Sequence, residues 1–331
     1  MNFKAGRIFM GLVPAVLPLS AKDFSQTGKP NIVWFLTEDV SSHYLALFNE
    51  GKGCSTPNVQ RLARHGVLFR NAYSNAPVSS AARTTLITGC YAPAFGGSLH
   101  RSIQQFPVPE GLSLFPAYLR KAGYYTCNSE KTDYNVKMDK EAWDIVKGEL
   151  GSWRERPDKS KPFFFMRSNT MTHESRLQFN SQTFLNRPAR NDPAEVHMHP
   201  GLPDTELMRY TYATFYDRIE DSDRELGELV DMLEKEGELE NTFIFYFGDN
   251  GGSLPGTKGY TYDIGFHVPL VVYIPERWKE RISREYGSIE EEPVSFMDFA
   301  PTVLELAGEG PPGILVKSSR PMSFWARVKE Q

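Results

Sequence analysis

Four short runs of the chain are apolar without alternation: Asn31 to Thr37 (Asn-Ile-Val-Trp-Phe-Leu-Thr), Pro162 to Arg167, Thr242 to Gly248 and Pro269 to Pro275. Each has strand length, and unbroken apolar character suits strands covered on both faces. The helical period shows best in Glu206 to Glu236, where Tyr212, Phe215, Ile219, Leu226, Val230 and Leu233 recur at spacings of three, four and seven and the charges fall largely on the other face. Thr56-Pro57 supplies a cap and a first-turn proline to a helix that runs to Arg64 and stops at Gly66. Leu112 to Lys121 also has helical spacing and ends at Gly123. Tyr124 to Cys127 then reads as a short strand running into Ser129-Glu130-Lys131-Thr132-Asp133. Ser79 and Ser80 stand where they can cap a turn that begins near Ala81, with Arg83 one turn in. Lys147 to Lys161 is charged and broken by Pro and Gly, which predicts surface. Asn180 to Pro203 holds several prolines, His197 and His199 without periodicity, which predicts a long functional or covering loop. Strands alternating with helices imply an α/β fold, with a mostly parallel central sheet and helices on both faces.

Composition narrows this picture. The 331 residues are 40% apolar and 13% aromatic, enough for a sizeable core. A net charge of -4 with interspersed signs argues against a general nucleic-acid surface, so any cationic patch is focal. Lys4 and Arg7, the apolar run Ile8 to Leu19 and then Ser20-Ala21 read as a secretory signal peptide over residues 1–21. The run is short for a bilayer and carries Pro14 and Pro18, so the expectation is a periplasmic or secreted protein without stable membrane insertion. Cys54, Cys90 and Cys127 are too few and scattered for a disulfide framework or a zinc site; they read as packing residues, with one disulfide left open.

Chemistry gathers after the strands. Glu38-Asp39 follows the first, and Asp249-Asn250-Gly251-Gly252 follows the third. An Asp-Asn-Gly turn ordinarily makes a hairpin, but Ser253-Leu254-Pro255-Gly256 follows in place of a matching strand. Glu38, Asp39, Asp249 and Asn250 offer oxygen alone, a donor set that selects a hard cation, calcium or magnesium. Arg83, Lys131, His173 and Lys258 lie at comparable positions. A hard metal ringed by cationic side chains suits a tetrahedral oxyanion ester.

Over roughly Asn31 to Gly308 these features resemble the type I sulfatases of the alkaline phosphatase superfamily. Ser79-x-Ala81-x-Arg83 with Thr88-Gly89 is similar to the sulfatase signature, whose first residue, Cys or Ser, is oxidised to formylglycine. The resemblance implies that Ser79 becomes 3-oxoalanine through a radical SAM maturase. It also implies one calcium held by Glu38, Asp39, Asp249, Asn250 and the modified Ser79. Lys258-Gly259 resembles the family's sulfate-binding lysine and Lys131 the lysine of its Gly-Lys segment, while His173 matches the histidine that protonates the leaving group. In the implied reaction one hydroxyl of the hydrated aldehyde attacks sulfur and the second later expels sulfate, with Arg83 among the groups neutralising the sulfuryl oxygens.

Gly96-Gly97-Ser98-Leu99-His100 resembles the Gly-x-x-Leu-His segment of heparan N-sulfatases and marks His100 as a substrate contact. The implied substrate is a sulfated glycan, glycosaminoglycan sugars before other polysaccharides. Glu38 departs from the family's Asp, and Asp133 stands where many members carry a histidine. Residues 313–331 match nothing in the family pattern and read as a truncated or frame-shifted end. That reading leaves a catalytic domain at 22–312 and the family's C-terminal subdomain largely missing. Two alternatives stand beside the sulfatase reading. One is a phosphate or phosphonate ester hydrolase using unmodified Ser79, for which the sequence lacks a histidine-rich second metal site. The other is a secreted glycan-binding remnant without turnover.

Overall fold

The structure is a computed structural model and describes residues 28–310. The expected signal peptide and the atypical tail at 313–331 lie outside the described residues. One mixed sheet organises the rest. Its strands are β1 (Asn31–Thr37), β2 (Gly66–Tyr73), β3 (Tyr125–Ser129), β4 (Ile145–Gly148), β5 (Phe163–Asn169), β6 (Thr242–Gly248), β7 (His267–Tyr273), β8 (Ser288–Glu290) and β9 (Val294–Ser295). They run in the order β4-β3-β5-β1-β6-β7-β2-β8, with β9 also on β2. Strand β7 is antiparallel to both neighbours, and the other pairings are parallel. The expected mostly parallel sheet is therefore present, with one reversed strand.

Helices cover both faces, as the unbroken apolar strands require. Alternate residues of central β1 point to opposite faces. Ile32, Trp34 and Leu36 join one core with α2 (Ser79–Thr88), α3 (Phe115–Lys121) and α7 (Phe299–Leu306). Val33 and Phe35 join the other with α1 (Pro57–Arg64) and α5 (Glu206–Lys235). Two shorter helices, α4 (Ser181–Asn186) and α6 (Asp263–Phe266), lie in connections. Trp34 sits edge-on to Phe164, Phe247 and Phe299 at centroid distances of 5.4, 5.5 and 5.8 Å, so aromatic packing fixes the strand that delivers the carboxylates.

Several local expectations change. Helix α3 starts at Phe115, three residues later than its apolar spacing suggests, because Pro116 fits only a first turn. Thr56 is the N-cap of α1 but its side chain makes no capping bond; the free N-H groups of Asn58 and Val59 donate instead to the Asp223 carboxylate from α5, at 3.1 and 2.9 Å. The 147–161 stretch is not all surface: Trp153 is fully buried, stacked on Phe163 at 5.5 Å. The long 180–203 connection contains α4, capped by Asn180 accepting from Thr183 N. The three cysteines are free thiols, with Cys54 and Cys127 in the core.

Candidate active site

The parallel strands β1, β5, β6 and β3 all end on one edge, where ligands bind in open α/β sheets. After β1 the chain places Glu38 and Asp39, both buried, with Asp39 in the left-handed region at φ 53°. That conformation costs a non-glycine residue about 1 kcal/mol. Several bonds hold the turn in place. Asp39 N donates to Asp249 Oδ1 at 3.0 Å, Glu174 N donates to Asp39 Oδ2 at 2.9 Å, and Thr172 Oγ1 donates to the Glu38 carbonyl at 2.5 Å. After β6 come buried Asp249 and Asn250. A hairpin does not form there, because the chain after Asn250 packs against α6: a Cβ on Gly251 would stand 1.8 Å from the Ile264 carbonyl, so glycine alone fits.

Helix α2 corrects the capping expectation. Its N-cap is Val78, and Ser79 and Ser80 are buried first-turn residues. Their hydroxyls serve different neighbourhoods. Ser79 Oγ accepts from Asn250 Nδ2 at 3.3 Å, while Ser80 Oγ accepts from Arg101 N at 2.8 Å and lies 3.3 Å from His100 Nδ1. Only Ser79 therefore faces the carboxylate cluster, at the positive end of a ten-residue helix. Gly89 closes that helix in the left-handed conformation at φ 68°.

Three cations balance the carboxylates. Lys258 Nζ donates to Asp39 Oδ2 at 2.9 Å, and Lys131 Nζ pairs with Glu38 Oε1 and, at 3.2 Å, with Asp133 Oδ2. Arg83 is fully buried behind them, donating to the Lys131 carbonyl at 2.7 Å and the Thr132 carbonyl at 2.9 Å, with Nη1 3.9 Å from Glu38 Oε1 and 3.8 Å from Asp249 Oδ2. Burial and the Asp249 charge push the Glu38 carboxyl up to about 7 despite Arg83 and Lys131. The same two causes raise Asp39. Burial pulls the Lys258 ammonium down, but the Asp39 charge and hydrogen bond outweigh it and leave that group raised. The Asp133 carboxyl is disfavoured by burial yet held below its ordinary range by Lys131 and Arg101.

Oxygen atoms converge here in a way that suits a hard cation. Asp39 Oδ1, Asp249 Oδ1 and Ser79 Oγ lie 2.9, 2.8 and 3.3 Å from one atom, Asn250 Nδ2. Asp249 Oδ2 and Asn250 Oδ1 are buried and have no hydrogen-bond donor among the described residues. Buried acceptors left without donors are costly, and a cation would satisfy them. His173 follows β5: its Nδ1 accepts from Ser175 N at 3.3 Å, which leaves the proton on Nε2, a buried atom without a partner among the described residues. Burial, with Lys258 and Lys131 nearby, lowers its basicity against the pull of Asp39.

All the candidates named from the sequence thus gather at one sheet edge, with His100 on the rim beside Ser80 and within the electrostatic reach of Lys258 and Glu174. Ser168, whose hydroxyl receives Arg83 Nη2, and Thr172 were not singled out as anchors. Nothing in their local pattern marks them, since their partners lie 85 and 134 residues away. A separate group, His43, Asp263 and His267, shares no residue with this cluster.

The fold and the placing of this constellation at the sheet edge match the alkaline phosphatase-like fold. The sequence model of the family described as Sulfatase matches residues 30–149 and 128–309, so the chain belongs to the sulfatase family. An ulvan-active sulfatase of Formosa agariphila is 32% identical over 325 residues, covering 86% of this chain and 53% of that protein. Human N-sulphoglucosamine sulphohydrolase is 25% identical over 285 residues, covering 76% of this chain and 56% of the relative. The chain thus spans about half the length of these curated relatives. The fold is shared with the phosphonate monoester hydrolase of Silicibacter pomeroyi, at a TM-score of 0.67 and 18% identity over 90% of this chain and 77% of the other. At this identity the likeness shows the fold alone.

Proposed function

We propose that the chain is the catalytic part of a sulfatase that hydrolyses sulfate esters or N-sulfo groups on a sulfated glycan. Ser79 is oxidised to 3-oxoalanine by a radical SAM maturase, and one calcium ion is held by Glu38, Asp39, Asp249, Asn250 and the modified residue. The observation that carries this reading is the meeting of Asp39, Asp249 and Ser79 oxygens around the Asn250 amide, beside buried acceptors without donors. The amide's oxygen and nitrogen exchange places by a flip. The donor set around Ser79 is all oxygen, which suits calcium, and the two-histidine group of His43, Asp263 and His267 shares none of its residues.

Once installed and hydrated, the aldehyde supplies a hydroxyl for attack and a second for release of sulfate. The chain's own side chains do the rest. Lys131 and Lys258 are slightly exposed, at 16 and 10% of their side-chain surface, and reach the place where sulfuryl oxygens would gather charge. Arg83, fully enclosed, acts behind them as a positioning residue: it fixes the Lys131 backbone and offsets Glu38 and Asp249. His173 turns its unpartnered Nε2 to the pocket, and in the imidazolium form it gives that proton to the departing alcohol or amine.

The similarity to an ulvan-active relative and to an N-sulphoglucosamine hydrolase supports a sulfated polysaccharide as substrate. Export through residues 1–21 belongs to the same proposal, and no described helix is long and apolar enough to cross a membrane. Enzyme coexpressed with a serine-type maturase should release sulfate from ulvan oligosaccharides or from N- and O-sulfated glucosamine in the presence of calcium. Turnover of a phosphonate ester alone, or binding of the glycans without sulfate release, would overturn the assignment in favour of the other two readings.

A further inference from the structure

His43, Asp263 and His267 come from two distant parts of the chain, the turn after β1 and the passage from α6 into β7, and bring their donor atoms within 4.8 Å of one another. His43 Nε2 is 3.4 Å and His267 Nδ1 3.3 Å from the same oxygen, Asp263 Oδ2. The hydrogen bonds around the rings decide which nitrogens carry protons. His267 Nε2 lies 2.7 Å from the Arg70 carbonyl, which can only accept, so Nε2 is protonated and a neutral ring presents the Nδ1 lone pair to Asp263. Ser41 Oγ donates its one proton to the His267 carbonyl at 2.8 Å. At 3.0 Å from that hydroxyl, His43 Nδ1 must then be the donor, which leaves the Nε2 lone pair facing Asp263.

Neutral rings would thus aim two lone pairs at a carboxylate oxygen, three acceptors meeting with no proton between them. With one ring protonated, the other still aims its lone pair at Asp263 Oδ2, and with both protonated two positive rings stand 5.3 Å apart between centroids. A divalent cation resolves the conflict. Ligands at about 2.0–2.1 Å around a tetrahedral centre stand about 3.3–3.4 Å apart, the separation found for both His–Asp pairs. Partners that fix the tautomer of each ring are the usual outer shell of such a site. Stacking of Tyr73 on His267 at 4.9 Å holds that ring's plane, while half-exposed His43 is free to close the remaining gap.

We propose that His43 Nε2, His267 Nδ1 and the Asp263 carboxylate bind one divalent transition metal of the zinc class, with water in the open position. The ion would clip the turn that follows Asp39 to the head of β7. Two nitrogens and one carboxylate favour zinc or cobalt over calcium, so this site and the oxygen cluster select different ions.

The test uses the full chain without an affinity tag, in excess calcium to fill the oxygen cluster. Zinc is titrated calorimetrically, and cobalt is followed by its visible absorption. One equivalent of zinc should bind and raise Tm by a few degrees, with cobalt giving the intense bands of a tetrahedral centre. The single variant His43→Gln changes a half-exposed side chain, so its fold is readily checked by circular dichroism; it should lose the zinc equivalent and the Tm gain together. The double variant His43→Gln/His267→Gln should behave alike. Zinc uptake in His43→Gln equal to that of the parent, or no saturable uptake by the parent, overturns the proposal.

Discussion

Asp39 and His43 are four residues apart in the chain, yet the clusters they join are built on opposite terms. Asp39 belongs to a group sealed from solvent, made of oxygens and compensated by Lys131, Lys258 and Arg83. His43 belongs to a half-exposed group of two imidazoles and one carboxylate, held by Ser41 and the Arg70 carbonyl and without an added cation. Burial explains the difference. Carboxylates crowded in a dry pocket rise toward neutrality, as Glu38 does to about 7, and the positive charge built in around them opposes that rise. At the surface water shares that task, and the shape of the hydrogen bonds decides what can bind.

The two clusters should therefore respond to different perturbations. The largest expected effect is on chemistry. Ser79→Ala should lower sulfate release by at least about 10³-fold, since an alanine supplies no nucleophile, and should leave Tm nearly unchanged because Ser79 contributes only one 3.3 Å bond. His43→Gln should stay within about threefold of the parent rate, as rates usually do for groups outside the reacting shell. Equal losses in the two variants, measured by sulfate release, would erase the distinction.

Next in size is the leaving-group test. His173→Gln should slow hydrolysis of a glycan sulfate by about 10²-fold, the usual worth of a general acid, but hydrolysis of nitrophenyl sulfate by under about tenfold, because nitrophenolate departs without a proton. Uniform slowing would instead make His173 a binding or structural residue. Asp249→Asn should then weaken calcium by about tenfold or more, through loss of one ligand charge, while leaving zinc uptake intact; a calcium titration followed by Tm reads it. The smallest expected effect concerns Glu130, which takes the left-handed conformation at φ 68° just before Lys131. Glu130→Gly relieves backbone strain of about 1 kcal/mol but gives up the 2.9 Å pair with Arg167, so stability should change by under about 1 kcal/mol. A large loss would mean that Glu130 anchors the lysine loop.

How far the sequence showed these features depends on how local their causes are. Strands β1, β5, β6 and β7 were legible because burial on both faces leaves an unbroken apolar run, and α5 because a long amphipathic period survives any single irregularity. Strand β2 was missed: its apolar stretch breaks at Arg70-Asn71, where a bulge separates Phe69 from Ala72 in the pairing with β7. Short β4, β8 and β9 at the sheet margins carry too few residues for a period. At the site, the residue types were visible in the order of the strands, since each follows a strand end. Their second partners were not: the cap that Asp223 gives α1 and the anchoring of Arg83 by Ser168 rest on contacts across the fold. The same holds for the His43 group. Asp263 and His267 have helix spacing, but only folding brings them to His43.

Peptide mass analysis of Asn71–Arg83 from catalytically active enzyme, with fragment ions that separate Ser79 from Ser80, tests the formylglycine assignment most directly. The expected result is a loss of about 2 mass units, the two hydrogens removed on oxidation of a hydroxymethyl group to an aldehyde, located at Ser79 with Ser80 intact. An active preparation in which Ser79 is wholly unmodified, or in which the change falls on Ser80, contradicts it.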